Sequence, residues 1–138
     1  VQEFLQNSAT EAEEDPYRLY AITRGDLEMS TGKLAAQAGH AYLNAYLKAL
    51  NERPEIAEFY QRDGIGTKIC LKAKNQDALL KAYEAAKEAG LPCELIIDQH
   101  HIIPGTDFTG EPIITALGIG PARKHEIHHI TKRFSLCQ

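Results

Sequence analysis

A chain of 138 residues, 43% hydrophobic and 25% charged, has the size and composition of one globular domain with a single core. No apolar run reaches the roughly 18–20 residues of a membrane span and no basic-then-apolar leader opens the chain, so a cytoplasmic protein with no membrane partner is expected. The formal charge of −4 disfavours a broad basic surface for nucleic acid, yet Glu3, Glu11, Glu13, Glu14 and Asp15 crowd into residues 1–16, leaving residues 17–138 with 15 basic against 14 acidic groups.

Residues 1–16 read as an acidic, flexible arm, and residues 17–138 as the domain proper. Alternation that turns fully apolar over residues 17–24 predicts a central strand. Arg24, Gly25 and Asp26 open a loop, and Ser30 or Thr31 caps an alanine-rich helix that runs to about Leu50. Pro54 starts a shorter helix that ends near Gln61. A strand over residues 67–73 follows, then a helix capped by Asn75 and closed by Gly90. Residues 91–98 form the next strand. After a long loop of histidines, glycine and proline, residues 113–119 form another, which Gly120 and Pro121 are expected to end. A short helix over residues 123–131 and a final strand or tail over residues 132–136 complete the chain. This order predicts an α/β fold, a three-layer α/β/α sandwich around a mixed sheet of about four strands.

The long helix carries the most information. At about 100° per residue, Leu34, Ala38, Ala41 and Ala45 form a small-residue stripe suited to close packing on a sheet. Lys33, Gln37, His40, Asn44 and Lys48 form a polar seam beside it, which reads either as a solvated face or as part of a site. Lys33 stands in the first helical turn, where the helix dipole and free N–H groups favour anions over cations. A shared negatively charged ligand is one sufficient reason for a lysine there. The nucleotide-binding P-loop is excluded, because Leu27 stands where its first glycine belongs and Leu34 where its hydroxyl belongs.

Asp98 closes an apolar strand, at the carboxyl end where open α/β sheets bind ligands; a strand-end aspartate that caps its own loop is the competing reading. His125, Glu126 and His129 satisfy the H-E-x-x-H zinc-peptidase pattern, but no acidic third ligand follows, and the pattern reads as exposed helix histidines. Cys70, Cys93 and Cys137 lack the spacing of a metal site or a disulfide framework and read as reduced thiols.

The block Thr23-Arg24-Gly25-Asp26-Leu27, followed by Gly32-Lys33-Leu34-Ala35-Ala36-Gln37-Ala38-Gly39-His40-Ala41, resembles the opening of the type 2 peptidyl-tRNA hydrolases. The resemblance continues through residues 68–73, 87–92, the strand ending at Asp98, Pro104-Gly105-Thr106, and Thr115-Ala116-Leu117-Gly118-Ile119-Gly120-Pro121. It covers about residues 17–136. It implies a compact α/β fold, often dimeric, that hydrolyses the ester between a peptide and the terminal ribose of tRNA with no metal or other cofactor. By motif, the catalytic residues are Lys33, Asp98 and Thr115. Arg24, Gln37, His40, His100 and Thr106 are the candidate substrate-binding residues.

The loop after Asp98 departs from the family pattern. It is about two residues shorter before Pro104, with His100 or His101 near the position of a family threonine. Asp107-Phe108-Thr109-Gly110-Glu111-Pro112 then lengthens the approach to Thr115. This departure motivates an alternative reading, a catalytically silent module on the same fold that binds tRNA or a protein.

Overall fold

The computed structural model describes residues 15–138, so the acidic arm, apart from its last two residues, lies outside the described residues. Asp15 belongs to the folded part: its carboxylate accepts the Lys124 backbone N–H at 2.6 Å and touches the His125 ring. It thereby satisfies a free donor at the start of the last helix.

The elements are β1 (Tyr17–Arg24), a 3₁₀ turn (Gly25–Leu27), α1 (Thr31–Glu52), α2 (Pro54–Arg62), β2 (Lys68–Ala73), α3 (Gln76–Glu88), β3 (Cys93–Asp98), β4 (Ile113–Arg123), α4 (Lys124–Thr131) and β5 (Ser135–Leu136). Ser30 caps α1 by accepting the Lys33 N–H, and Asn75 caps α3 by accepting the Ala78 N–H. The sheet order is β3-β4-β1-β2-β5, with β1 and β2 parallel and β4 antiparallel to both of its neighbours. The fifth strand, two residues long, pairs with β2 and extends the expected four-stranded sheet by one short edge.

Two cores form on opposite faces, because side chains alternate along each strand. Tyr20, Ile22, Leu71, Leu117 and Ile119 face α3 and α4, meeting Leu79, Ala82, Ala86, Ile127 and Ile130. Ala21, Ile96 and Ala116 face α1 at Ala38 and Ala41, while Leu19 meets Ala45 and Tyr60. The small-residue stripe of α1 therefore does what its spacing implies. At Gly118 the approach is so close that a Cβ there would lie 2.0 Å from the Ala41 carbonyl oxygen.

β4 does not end at Gly120 and Pro121. It pairs with β1 as far as Arg123, and a register shift between Arg18 and Tyr20 absorbs the irregularity. Proline is tolerated inside a sheet at such a shift, where the ladder has no need of its missing N–H. The local cue for a strand end was overridden by tertiary pairing.

Candidate active site

The carboxyl ends of β1, β2 and β3 and the start of β4 lie at one edge of the sheet, together with the N-terminus of α1. This is where an open α/β sheet gathers functional groups. Lys33, from the first turn of α1, reaches across to Asp98 at the end of β3, and Nζ donates to Oδ2 at 2.6 Å. The two side chains are only 10% and 20% exposed. Asp98 answers the question raised by the cation in that first turn: Lys33 is paired with a carboxylate 65 residues away.

The chain after Asp98 folds into a small hairpin. His100 adopts a left-handed conformation (φ 66°) and donates its N–H to the Gly110 carbonyl; the Ile103 N–H bonds to Phe108, and Ile102 bridges Thr109. Histidine is among the residues that tolerate this backbone region. The hairpin delivers two groups to the pair. His101 contacts Lys33 Nζ through Nδ1, which also lies 3.8 Å from Asp98 Oδ2. Phe108, 3% exposed, sets its ring 4.6 Å from Lys33 Nζ. A cation over an aromatic face is held electrostatically and shielded from water. The lengthened loop thus closes one wall of the site.

Thr115 arrives by a different device. On β3, Ile96 pairs with Ala116 and Ile97 with Ile114, so Thr115 is an extra residue on β4. Such a bulge breaks the alternation and re-aims a side chain. Thr115 and Ala116 consequently both face α1: Ala116 packs on Ala38 and Ala41, and the Thr115 hydroxyl donates to Gln37 Oε1 at 2.5 Å. Thr115 is completely buried and Gln37 nearly so, which makes this hydrogen bond internal. Thr115 holds Gln37; it has no surface of its own to offer a ligand.

Gln37, His40 and Asn44 of α1 and residues 95–98 of β3 line a groove of about 380 Å³ that leads from Asp98 along the free edge of β3. Farther along, Lys48 pairs with Glu94 at 3.6 Å. The polar seam of α1 is therefore neither wholly solvated nor wholly a site: it follows the rim of β3.

The remaining candidates take other positions. Arg24 grips Asp26 through two nitrogens, at 3.2 and 2.7 Å, and donates to the Ile114 carbonyl and to Gln76. Its hydrogen bond holds the Asp26 carboxyl below the usual carboxylate range. Thr106 lies in the hairpin turn, where its hydroxyl donates to the Ile103 carbonyl and accepts the Phe108 N–H. His100 supplies backbone, and its neighbour His101 supplies the ring. Sequence reasoning put His101 beside the site without choosing it, and missed Phe108, whose signal was a phenylalanine inside the otherwise polar run of residues 106–111.

The zinc pattern does not assemble. Glu126 accepts the Arg123 N–H and pairs with Arg53 at 2.8 Å; burial pushes its carboxyl up, but those two partners outweigh it and hold the group below its ordinary range. His125 turns to Asp15. Among the described residues no three histidine, cysteine or acidic side chains stand together as a metal cage.

The family model described as "Peptidyl-tRNA hydrolase PTH2" matches residues 17–137. The peptidyl-tRNA hydrolase of Methanopyrus kandleri is 41% identical over 117 residues, 83% of this chain and 93% of that protein. That of Methanocaldococcus jannaschii is 34% identical over 121 residues, 86% of this chain and 98% of its own. The mouse protein named "Peptidyl-tRNA hydrolase 2, mitochondrial" is 32% identical over 149 residues, 96% of this chain and 78% of the mouse protein. With the family model matching almost the whole described chain and relatives at 32–41% identity over most of it, the chain belongs to the type 2 peptidyl-tRNA hydrolase family.

Proposed function

We propose that this protein hydrolyses the ester between a peptide and the terminal ribose of tRNA, with Lys33 and Asp98 at the centre of the reaction. The observation that carries the reading is their 2.6 Å contact at the sheet edge, held from two elements and walled by Phe108. Asp98 orients a water and takes its proton as the water oxygen attacks the ester carbonyl. Lys33 faces the oxygen on which negative charge develops. The bond to the ribose oxygen then breaks, that oxygen takes the proton held by Asp98, which returns to its carboxylate form, and the peptide leaves as a carboxylic acid. Thr115 acts through Gln37, fixing the amide beside the groove. His101 holds the Lys33 ammonium from the solvent side.

The pair needs no metal to do this, and the reading expects hydrolysis to be unchanged by a chelator. The exposed flank of α1, with Leu43 56%, Leu47 50% and Leu50 40% accessible, supports the homodimer that the resemblance implies. The substrate is made where ribosomes work, which favours the cytoplasm. No helix among the described residues is long and apolar enough to cross a membrane.

The experiment is release of labelled peptide from N-blocked aminoacyl-tRNA by purified protein, with free tRNA and free acid as products. Saturable tRNA binding without any release supports the silent module instead.

A further inference from the structure

A second cleft lies apart from the one beside Asp98. It measures about 930 Å³ and lies at the same edge of the sheet, between the ends of β2 and β5 and the start of α3. Lys72, Lys74, Lys81 and Arg133 line it, together with Asp26 and Asp77. Six cations of this protein are paired among the described residues: Arg24, Lys33, Lys48, Arg53, Arg62 and Lys87 each have a carboxylate within 4.0 Å. Among the described residues the four cations of the cleft have none. Of the two acids, Asp26 is already neutralised by Arg24. Four like charges facing one cleft repel each other and persist more readily when an anion is their partner.

We infer that this cleft is a second binding site, which takes consecutive backbone phosphates of the RNA whose terminal ester lies at Lys33 and Asp98. The inference rests on the proposed hydrolase reading for the identity of the RNA. The geometry suits it. The cleft sits at β2 and β5, three and four strands from β3, or roughly 14–19 Å at the usual strand spacing. Because α3 and α1 lie on opposite faces of the sheet, that distance is a minimum, and at about 3.4 Å per nucleotide along a stacked strand at least about four to six nucleotides separate the ester from the cleft. Arg24 bridges the gap structurally, joining β1 to Ile114 on one side and Gln76 on the other. Lysines and an arginine of this kind position a backbone without reading its sequence, as an enzyme acting on many tRNAs requires. Among the described residues, four of the nine cations that have no carboxylate within 4.0 Å line this one cleft.

The test is binding of deacylated tRNA, followed by fluorescence anisotropy across a series of salt concentrations. The double variant K74E/K81E is compared with K68E/K124E, which makes the same change of net charge at the opposite end of the sheet. The inference expects Kd to rise about tenfold or more for K74E/K81E, and the slope of log Kd against log salt to become shallower by about 1.5. It expects less than about a threefold change for K68E/K124E, since a distant exposed charge is screened. R133E follows the first pair, in smaller degree. Equal losses in both doubles, no loss in K74E/K81E, or tighter binding of an acidic peptide of matched charge overturns the inference. Peptide release is a separate measurement: a protein that binds tRNA through the cleft and releases nothing overturns the hydrolase reading alone.

Discussion

Replacing Asp98 by asparagine separates a catalytic from a structural role for the Lys33–Asp98 pair. The side chains are nearly the same shape, and the amide oxygen still accepts from Lys33 Nζ, so the 2.6 Å contact loses its charge but not its hydrogen bond. Breaking a fully buried ion pair costs about 3–5 kcal/mol and an exposed one about 0–1 kcal/mol. With exposures of 10% and 20% and one hydrogen bond retained, the cost to folding falls near the lower end, about 1 kcal/mol. For a domain of this length that lowers Tm by on the order of 3–5 °C. Loss of a general base costs far more in rate, about 10²–10⁴-fold, or roughly 3–5 kcal/mol of barrier. Single-turnover release of peptide from N-blocked aminoacyl-tRNA, beside a thermal melt, reads both quantities. Lys33→Met alone and K33M/D98N close the cycle: residues that serve one transition state give a double variant far less impaired than the product of the two single losses. Release by D98N within about threefold of the parent, with the Tm lowered as expected, refutes the catalytic assignment and leaves the pair as a structural clamp.

Other expectations follow from the packing. Thr115→Val keeps the shape but leaves Gln37 Oε1 without its donor in a nearly closed environment, at a cost of about 1–3 kcal/mol by urea denaturation; a change below about 0.5 kcal/mol contradicts the internal hydrogen bond. Gly118→Ala sets a methyl 2.0 Å from the Ala41 carbonyl, so α1 must retreat by roughly 1 Å along its whole stripe; a loss of about 3 kcal/mol or more, seen as low soluble yield and a depressed Tm, is expected, and an unchanged Tm refutes the contact. Burial, and then the neighbouring Cys137 thiol, pushes the Cys70 thiol up from 9.0 to about 12. Because the folded state holds that proton more tightly, its contribution to stability is complete below pH 9 and is lost as pH rises toward 12. Burial also raises Tyr42 and Tyr60, which act at higher pH in the same direction. Burial raises the Cys93 thiol as well, so the urea midpoint of the parent starts to fall near pH 9 and Cys70→Ser makes that fall shallower without abolishing it; parallel curves refute the assignment.

Much of the fold was legible because its signals are local. Ser30 and Asn75 cap the helices that their positions announce, and alternation over residues 17–24 marks the strand that became central. The alanine stripe of α1 identified its packing face, and the motif order identified the family before any contact was known. The misreading at Gly120 and Pro121 has the same origin: both are local punctuation, and the pairing of β4 with β1 carries the strand through them. Short β5 was ambiguous because two residues carry too little pattern to distinguish a strand from a tail.

The candidate site was legible in part. Lys33 stood out by violating a rule of helix ends, and Asp98 by ending an apolar strand; each is a conflict visible in a few residues. Their partnership, the choice of His101 over His100, the Phe108 wall and the gathering of four cations at the end of β2 were not visible. Neither was the burial of Thr115, which depends on one extra residue in the β4 register against β3. The sequence alone determined the elements, their faces, the family and the two charged residues at the heart of the site, because caps, periodicity and motif spacing act within a few residues. Only the tertiary structure decided which side chains meet. Register, bulge and loop path are set by contacts between residues tens of positions apart, and a shift of a single residue in any of them turns a side chain from the site to the opposite face.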